Sequence, residues 1–249
     1  MDKTPKIIEE TPDFAVVFKP SKMHSAAKNF IHNREGAESD STAVLFDWYA
    51  EYSPPVFDIM HRLDYETNGL VLFAKNEKSY KYFKSLQDNG KFIKEYSAIC
   101  LQSPSEITDS SSGFPPCPLY LENFIPSSEN PFVIESFFRP FGPGRKLVRP
   151  VIADGKKHRE VAADKGGHYR TEITGIDKNI FTIRLRRGFR HQIRCHLSWI
   201  GFPVLNDPLY PIPLTVPESN ELALRSHALF FTDPSGRVCE YRIKPLEIV

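Results

Sequence analysis

A histidine, an arginine and an aspartate stand within four residues at His61-Arg62-Leu63-Asp64, and polar groups concentrate again along Gly188-Phe189-Arg190-His191-Gln192-Ile193-Arg194-Cys195-His196-Leu197. A carboxylate close to a guanidinium has its anionic form favoured. On a loop braced by a strand, that carboxylate can serve as nucleophile, base or ion-pair partner. A surface salt bridge beside an edge strand would account for the first segment taken alone. The second cluster shifts the reading toward a reactive site.

The elements that must position these groups follow from the flanking patterns. After Asp64 the pair Asn68-Gly69 reads as a turn leading into Val71-Leu72-Phe73-Ala74, an apolar run of the kind that forms a buried strand. Ahead of the second cluster, Phe181, Ile183 and Leu185 alternate with Thr182, Arg184 and Arg186, the period of a strand with one buried and one basic face. Beyond Gly188, Ile193, Leu197 and Ile200 fall at helical spacing, with His191, Arg194 and Ser198 on another face and Gly201 at the C-terminal cap. Five arginines lie between Arg184 and Arg194 with no acidic residue among them, a cationic surface that calls for an anion, with phosphate the leading candidate.

The remaining pattern predicts an α+β fold. Phe14 to Phe18, Tyr96 to Leu101 and Phe132 to Phe138 read as strands, and Ser79 to Gln87 as a helix stopped by Asp88-Asn89-Gly90. Strands joined by irregular connections imply a mixed, largely antiparallel sheet flanked by helices and loops, formed as one domain over residues 1–249. Ser103 to Pro131 reads as a long loop. From Arg139 to Arg170 the basic residues outnumber the acidic ones, which fits either a basic face or a solvated, glycine-rich loop.

Composition narrows the class. A chain of 249 residues can bury a full core, and no segment reaches the roughly 18 consecutive apolar residues of a membrane span. The expected protein is soluble, cytoplasmic and monomeric. Four scattered cysteines without a Cys-x-x-Cys pair suggest neither a zinc site nor a disulfide framework. The net charge of +1 is low for a protein that grips many phosphates, so any nucleic-acid contact must rest on a local basic face.

His61-Arg62-Leu63-Asp64 through Thr67-Asn68-Gly69-Leu70, Lys94-Glu95-Tyr96, the arginine-rich helix, Gly201-Phe202-Pro203 and Asp207-Pro208-Leu209-Tyr210 occur in an order that resembles the RluA-type pseudouridine synthases. Phe18-Lys19-Pro20 and Ser226-His227-Ala228-Leu229 resemble that family's opening and closing segments. The resemblance runs from about Lys6 to about Pro245 and includes no separate N-terminal RNA-binding domain. It implies isomerisation of a uridine within ribosomal or transfer RNA, without cofactor or metal. It further implies Asp64 as the essential carboxylate, Arg194 as its ion-pair partner and Tyr96 as the group stacking on uracil. Arg62 would hold the flipped nucleotide or fill its place, and Thr67, Arg190, His191 and Gln192 would lie among the substrate and RNA contacts.

Three departures from the family pattern stand out. Asn68 stands for serine, Asn206 for glycine, and Phe189-Arg190 for Arg-Thr at the head of the helix. Arg190 cannot cap a helix by accepting a bond, and its charge opposes the helix dipole. It is therefore expected to meet an RNA phosphate or, alternatively, an acidic side chain from elsewhere in the fold. Two other functions stay open: an RNA-binding or folding factor without chemistry, and a nucleosidase using Asp64. The latter would want a second working carboxylate, for which Glu66 is the near candidate.

Overall fold

The computed structural model describes residues 4–26, 44–101, 114–117, 119, 121, 124–152, 168–210 and 221–247. Along the chain run β1 (Lys6–Glu10), β2 (Phe14–Lys19), α1 (Leu45–Tyr52), β3 (Asp58–Ile59), β4 (Asn68–Ala74), α2 (Glu77–Asp88) and β5 (Ile93–Ile99). They are followed by β6 (Phe132–Phe141), β7 (Leu147–Val151), β8 (Tyr169–Asp177), β9 (Ile180–Leu185), α3 (Gln192–Trp199), β10 (Leu224–Thr232) and β11 (Val238–Arg242). The expected α+β class holds, and the strands pair mainly antiparallel. The chain forms two compact units, Met1–Lys94 with Arg225–Lys244, and Glu95–Leu224 with Pro245–Val249.

In the first unit β2 pairs antiparallel with β1 and with β4, while β10 runs parallel to β4 and antiparallel to β11. Every residue of β2 and β4 is buried, because side chains cover both faces of these strands. Phe83 of α2 packs edge-on to Phe14 on one face, and Phe46 and Tyr49 of α1 pack on Phe73 on the other. Helix α2 starts two residues before its expected Ser79 because Asn76 and Ser79 form a reciprocal capping box, which satisfies otherwise orphaned N–H groups. Helix α1 was not foreseen; no side chain caps its N-terminus, so the sequence carries no start signal for it.

Asn68 and Gly69 are not the expected turn but the first two residues of β4, in register with Arg225 and Ser226. Glycine is required there for close approach. At a φ of 129°, a Cβ on Gly69 would sit 2.2 Å from the Ser226 carbonyl oxygen. Asn68 fits its place by accepting a 2.7 Å bond from Arg225 Nε.

In the second unit β8 lies between β6 and β9, and the outer half of β6 turns back as a ribbon with β7. The basic stretch expected as a face or a loop is thus partly a β-hairpin, while residues 153–167 lie outside the described residues, as does most of the expected long loop from Ser103. Strand β9 buries Phe181, Ile183 and Leu185 as their alternation predicts. Helix α3 is buried along its whole length, and Gly201, with φ 85°, follows its C-cap. Phe138, Val148, Tyr169, Cys195 and Tyr210 form the core between α3 and the strands.

Candidate active site

Asp64 stands in the segment between β3 and β4, half-buried, on a backbone held from several sides. Ser25 Oγ donates to the Leu63 carbonyl and accepts from the Leu63 N–H, both at 2.9 Å. Thr67 N–H donates to the Asp64 carbonyl at 3.1 Å. Lys19 Nζ donates to the carbonyls of Pro20, Met23 and Tyr65 at 2.9, 2.7 and 3.4 Å. Gln87 reaches the Met60 carbonyl at 2.7 Å, and His61 Nε2 accepts from the Leu72 N–H at 3.3 Å. The segment is irregular, yet groups from several elements satisfy the main-chain atoms of Met60, Leu63, Asp64 and Tyr65.

The charges around it fit a carboxylate site. Lys19 is fully buried, and burial pushes its pKa down to about 7 against the opposing pull of the Asp64 and Glu66 carboxylates. Lys94, likewise buried, is pushed down to about 8. Burial and then Lys94 hold His61 well below the ordinary imidazole value, so it stays neutral and accepts the Leu72 N–H as a structural group. Arg62 is exposed. Thr67 is 2% exposed, and its hydroxyl meets no hydrogen-bond partner among the described residues.

Arg194 and Tyr96 belong to the second unit. Arg194 is fully buried on α3, where Nε donates to Asp207 Oδ2 at 2.8 Å and Nη2 to Oδ1 at 2.7 Å. Asp207 Oδ1 also accepts the N–H groups of Leu209 and Tyr210 at 2.8 and 3.1 Å. The guanidinium lies over the Tyr210 ring, 5.7 Å from its centroid. A planar fork held bidentately has one orientation, so its outer edge is aimed in advance. Tyr96, 6% exposed, follows Glu95 on β5.

The arginine run is largely neutralised from within the fold, contrary to the expectation that it awaits phosphate. Glu95 of β5 takes Arg184 at 2.7 Å, Glu172 of β8 lies 4.0 Å from Arg186, and Asp207 takes Arg194. Arg187 lies over the Tyr169 ring at 4.8 Å. These carboxylates arrive from distant segments, which the local sequence could not reveal. Arg190 is exposed, and its Nη2 donates to the carbonyls of Arg145 and Leu147 at 2.8 and 3.2 Å, tying the helix entrance to the β6–β7 ribbon.

His191 and Gln192 are also occupied structurally. His191 caps α3 in the left-handed conformation, with φ 56°, and its Nδ1 lies 3.1 Å from the Tyr210 hydroxyl. Gln192 accepts the Phe189 N–H and donates to the Arg170 carbonyl and Thr171 Oγ1. His196, pushed down to about 3 by burial, bridges Ser136 at 2.9 Å and Thr171 at 2.8 Å. Sequence reasoning had given no role to Ser25 or Asp207; a lone serine 38 positions from the loop it clamps leaves no local signal. Among the described residues, no group of His, Cys, Asp and Glu side chains is placed to hold a metal ion.

The fold has solved counterparts. A structure titled Human RNA Pseudouridylate Synthase Domain Containing 1 superposes with a TM-score of 0.64 at 16% identity, covering 97% of this chain and 84% of that one. The family model described as RNA pseudouridylate synthase matches residues 13–199. The chain belongs to this family. It is 25% identical over 214 residues to the ribosomal large subunit pseudouridine synthase D of Haemophilus ducreyi, covering 82% of this chain and 52% of that protein. It is 27% identical over 152 residues to an uncharacterized RNA pseudouridine synthase of Chloroflexus aurantiacus, covering 61% of this chain and 38% of the relative. The chain thus spans about half or less of the length of these two relatives.

Proposed function

We propose that this chain converts uridine to pseudouridine within RNA, with Asp64 as the essential carboxylate. The observation that carries the reading is the clamped loop: inside the segment matched by the family, Ser25, Lys19 and Thr67 fix the backbone on both sides of Asp64. A reactive carboxylate needs a defined position more than a defined neighbour.

In the reaction the bond from C1′ to N1 breaks and the base turns while held. A bond from C1′ to C5 then forms, the C5 proton is released, and N1 ends protonated. The product has the mass of the substrate. Asp64 would add to C1′ or to the base, or stabilise the cationic sugar carbon between the two bonds. Arg194, aimed by Asp207, would pair with Asp64 and keep it ionised, while Tyr96 would stack on the uracil. Arg62, exposed on the loop, would support the extracted nucleotide, and the unpartnered Thr67 hydroxyl would contact substrate. Ribosomal RNA is the substrate class we assign first, in keeping with the named activity of the Haemophilus relative, with transfer RNA as the alternative.

The test is incubation of the purified protein with ribosomal and transfer RNA, followed by digestion and nucleoside separation. Pseudouridine at the expense of uridine, with RNA mass unchanged, is the expected result. Release of free uracil would make the protein a nucleosidase, and bound but unaltered RNA would make it a non-catalytic RNA-binding factor.

A further inference from the structure

Two loops of the first unit are stapled together beside Asp64. Lys22 adopts the left-handed conformation, with φ 58°, in the turn that returns the Met23 carbonyl to Lys19 Nζ at 2.7 Å. The same ammonium reaches the Tyr65 carbonyl at 3.4 Å, so one cation ties the turn after β2 to the residue that follows Asp64. Ser25 is the second staple, bonded to both main-chain groups of Leu63. His24 lies between the two in sequence. Its carbonyl accepts the Leu45 N–H at 2.8 Å at the head of α1, and its backbone forms a β-bridge with Val44.

The staples bring two rings together. His24 and Tyr65 pack with centroids 4.7 Å apart and planes inclined by 40°, while Tyr65 keeps 36% of its surface exposed. Charge is sorted around this pair. The carboxylates that flank Tyr65 in sequence, Asp64 and Glu66, are half-buried and opposed by the buried Lys19 ammonium, whereas the cations of the same two loops, Lys22 and Arg62, are exposed. Other exposed rings of the unit lack this setting: Tyr52 adjoins the exposed Glu51 on α1, and Phe57 packs on Tyr80 of α2. Tyr65 thus offers an aromatic surface beside exposed cations, one residue from the proposed reactive carboxylate.

We propose that Tyr65, backed by His24, is a stacking platform for a base that neighbours the target uridine in the bound RNA strand. Asp64 is half-buried and Tyr65 exposed, so the ring serves a base that stays outside the site while the target is drawn in. A tyrosine ring accepts any unstacked base, and a ring mounted on tethered backbone needs little further ordering when RNA arrives. A base inside a duplex already has both faces stacked, so the platform favours an unpaired strand. An apolar protein segment would use the ring and leave the exposed Lys22 and Arg62 unanswered. The proposal rests on the reading of the chain as an RNA uridine isomerase and adds a contact that sets the strand around the target.

The test uses a twelve-residue oligouridylate carrying 5-iodouridine, which crosslinks on irradiation to an aromatic ring stacked against it. Mass spectrometry of the digested wild-type complex should find an adduct on Tyr65. In titrations of the fluorescent oligouridylate, Tyr65→Leu should bind roughly tenfold more weakly, the size of one base–ring stack, while Tyr65→Phe stays within about twofold of wild type. The salt slope should be the same in all three proteins, because the ring carries no charge. Thermal unfolding is measured alongside, and since the adduct is read on wild type it decides the matter even where Tyr65→Leu does not fold. Failure of wild type to bind the oligouridylate, absence of a Tyr65 adduct in the complex, or unchanged affinity in folded Tyr65→Leu would each overturn the proposal. Pseudouridine formation is read separately on ribosomal and transfer RNA. Wild type that isomerises RNA while Tyr65→Leu binds normally would sink the platform alone, and a Tyr65-dependent complex that forms no pseudouridine would sink the enzymatic reading alone.

Discussion

Asp64 and Arg194, the two residues at the centre of the proposed chemistry, are immobilised in opposite ways. The aspartate sits on a segment whose backbone is clamped by Ser25, Lys19 and Thr67 while its side chain is half-buried. The arginine sits on a regular helix and is itself locked, fully buried in a bidentate pair with Asp207. A group that must react is thus held through its main chain, and a group that must orient is held through its side chain. The first arrangement places the loop without relying on the reacting carboxylate alone; the second makes function and stability inseparable.

The sharpest break in this contrast is Arg194→Ala. Removing one partner of a buried pair leaves Asp207 uncompensated, so the variant should lose about 3–5 kcal/mol in denaturant unfolding as well as its activity. Wild-type stability in this variant would show that the pair does not lock the helix. Ser25→Ala tests the other arrangement. It removes both bonds to Leu63, at an expected cost of about 1–3 kcal/mol, and should lower kcat more than it changes KM because Asp64 loses its placement. An unaltered kcat would mean the loop is fixed without the serine.

A smaller effect belongs to pH. His196 has its pKa held at about 3 in the folded protein, below the 6.5 of an unhindered imidazole. The unfolded chain therefore binds a proton that the folded chain refuses. This contribution to stability is complete above pH 6.5 and is lost progressively as pH falls toward 3. His196→Gln should flatten the decline of stability across that window in urea titrations, and an identical profile would place the acid sensitivity elsewhere.

Much of this was legible in the chain because period and local spacing carry it. The alternation at Phe181, Ile183 and Leu185 gave β9, and the helical spacing of Ile193, Leu197 and Ile200 gave α3 with its terminal Gly201. Misread features depend on partners far away in sequence. Gly69 looked like a turn glycine, whereas its constraint is the backbone of Ser226 on a neighbouring strand. The arginine run looked starved of anions because Glu95 and Glu172 come from other strands. Nor does anything local show that the Arg190 guanidinium reaches the carbonyls of a ribbon over forty residues earlier.

The most direct measurement is the activity of Asp64→Asn on RNA that the wild type modifies. The amide keeps the shape of the side chain but loses its charge and nucleophilicity. The backbone clamps remain, so the fold should persist with a loss of about 1–2 kcal/mol from the weakened attraction to buried Lys19, and RNA affinity should persist. Pseudouridine formation should fall by at least about a thousandfold, a barrier increase of roughly 4 kcal/mol. A folded, RNA-binding Asp64→Asn protein that still forms pseudouridine at a rate near wild type would contradict the account.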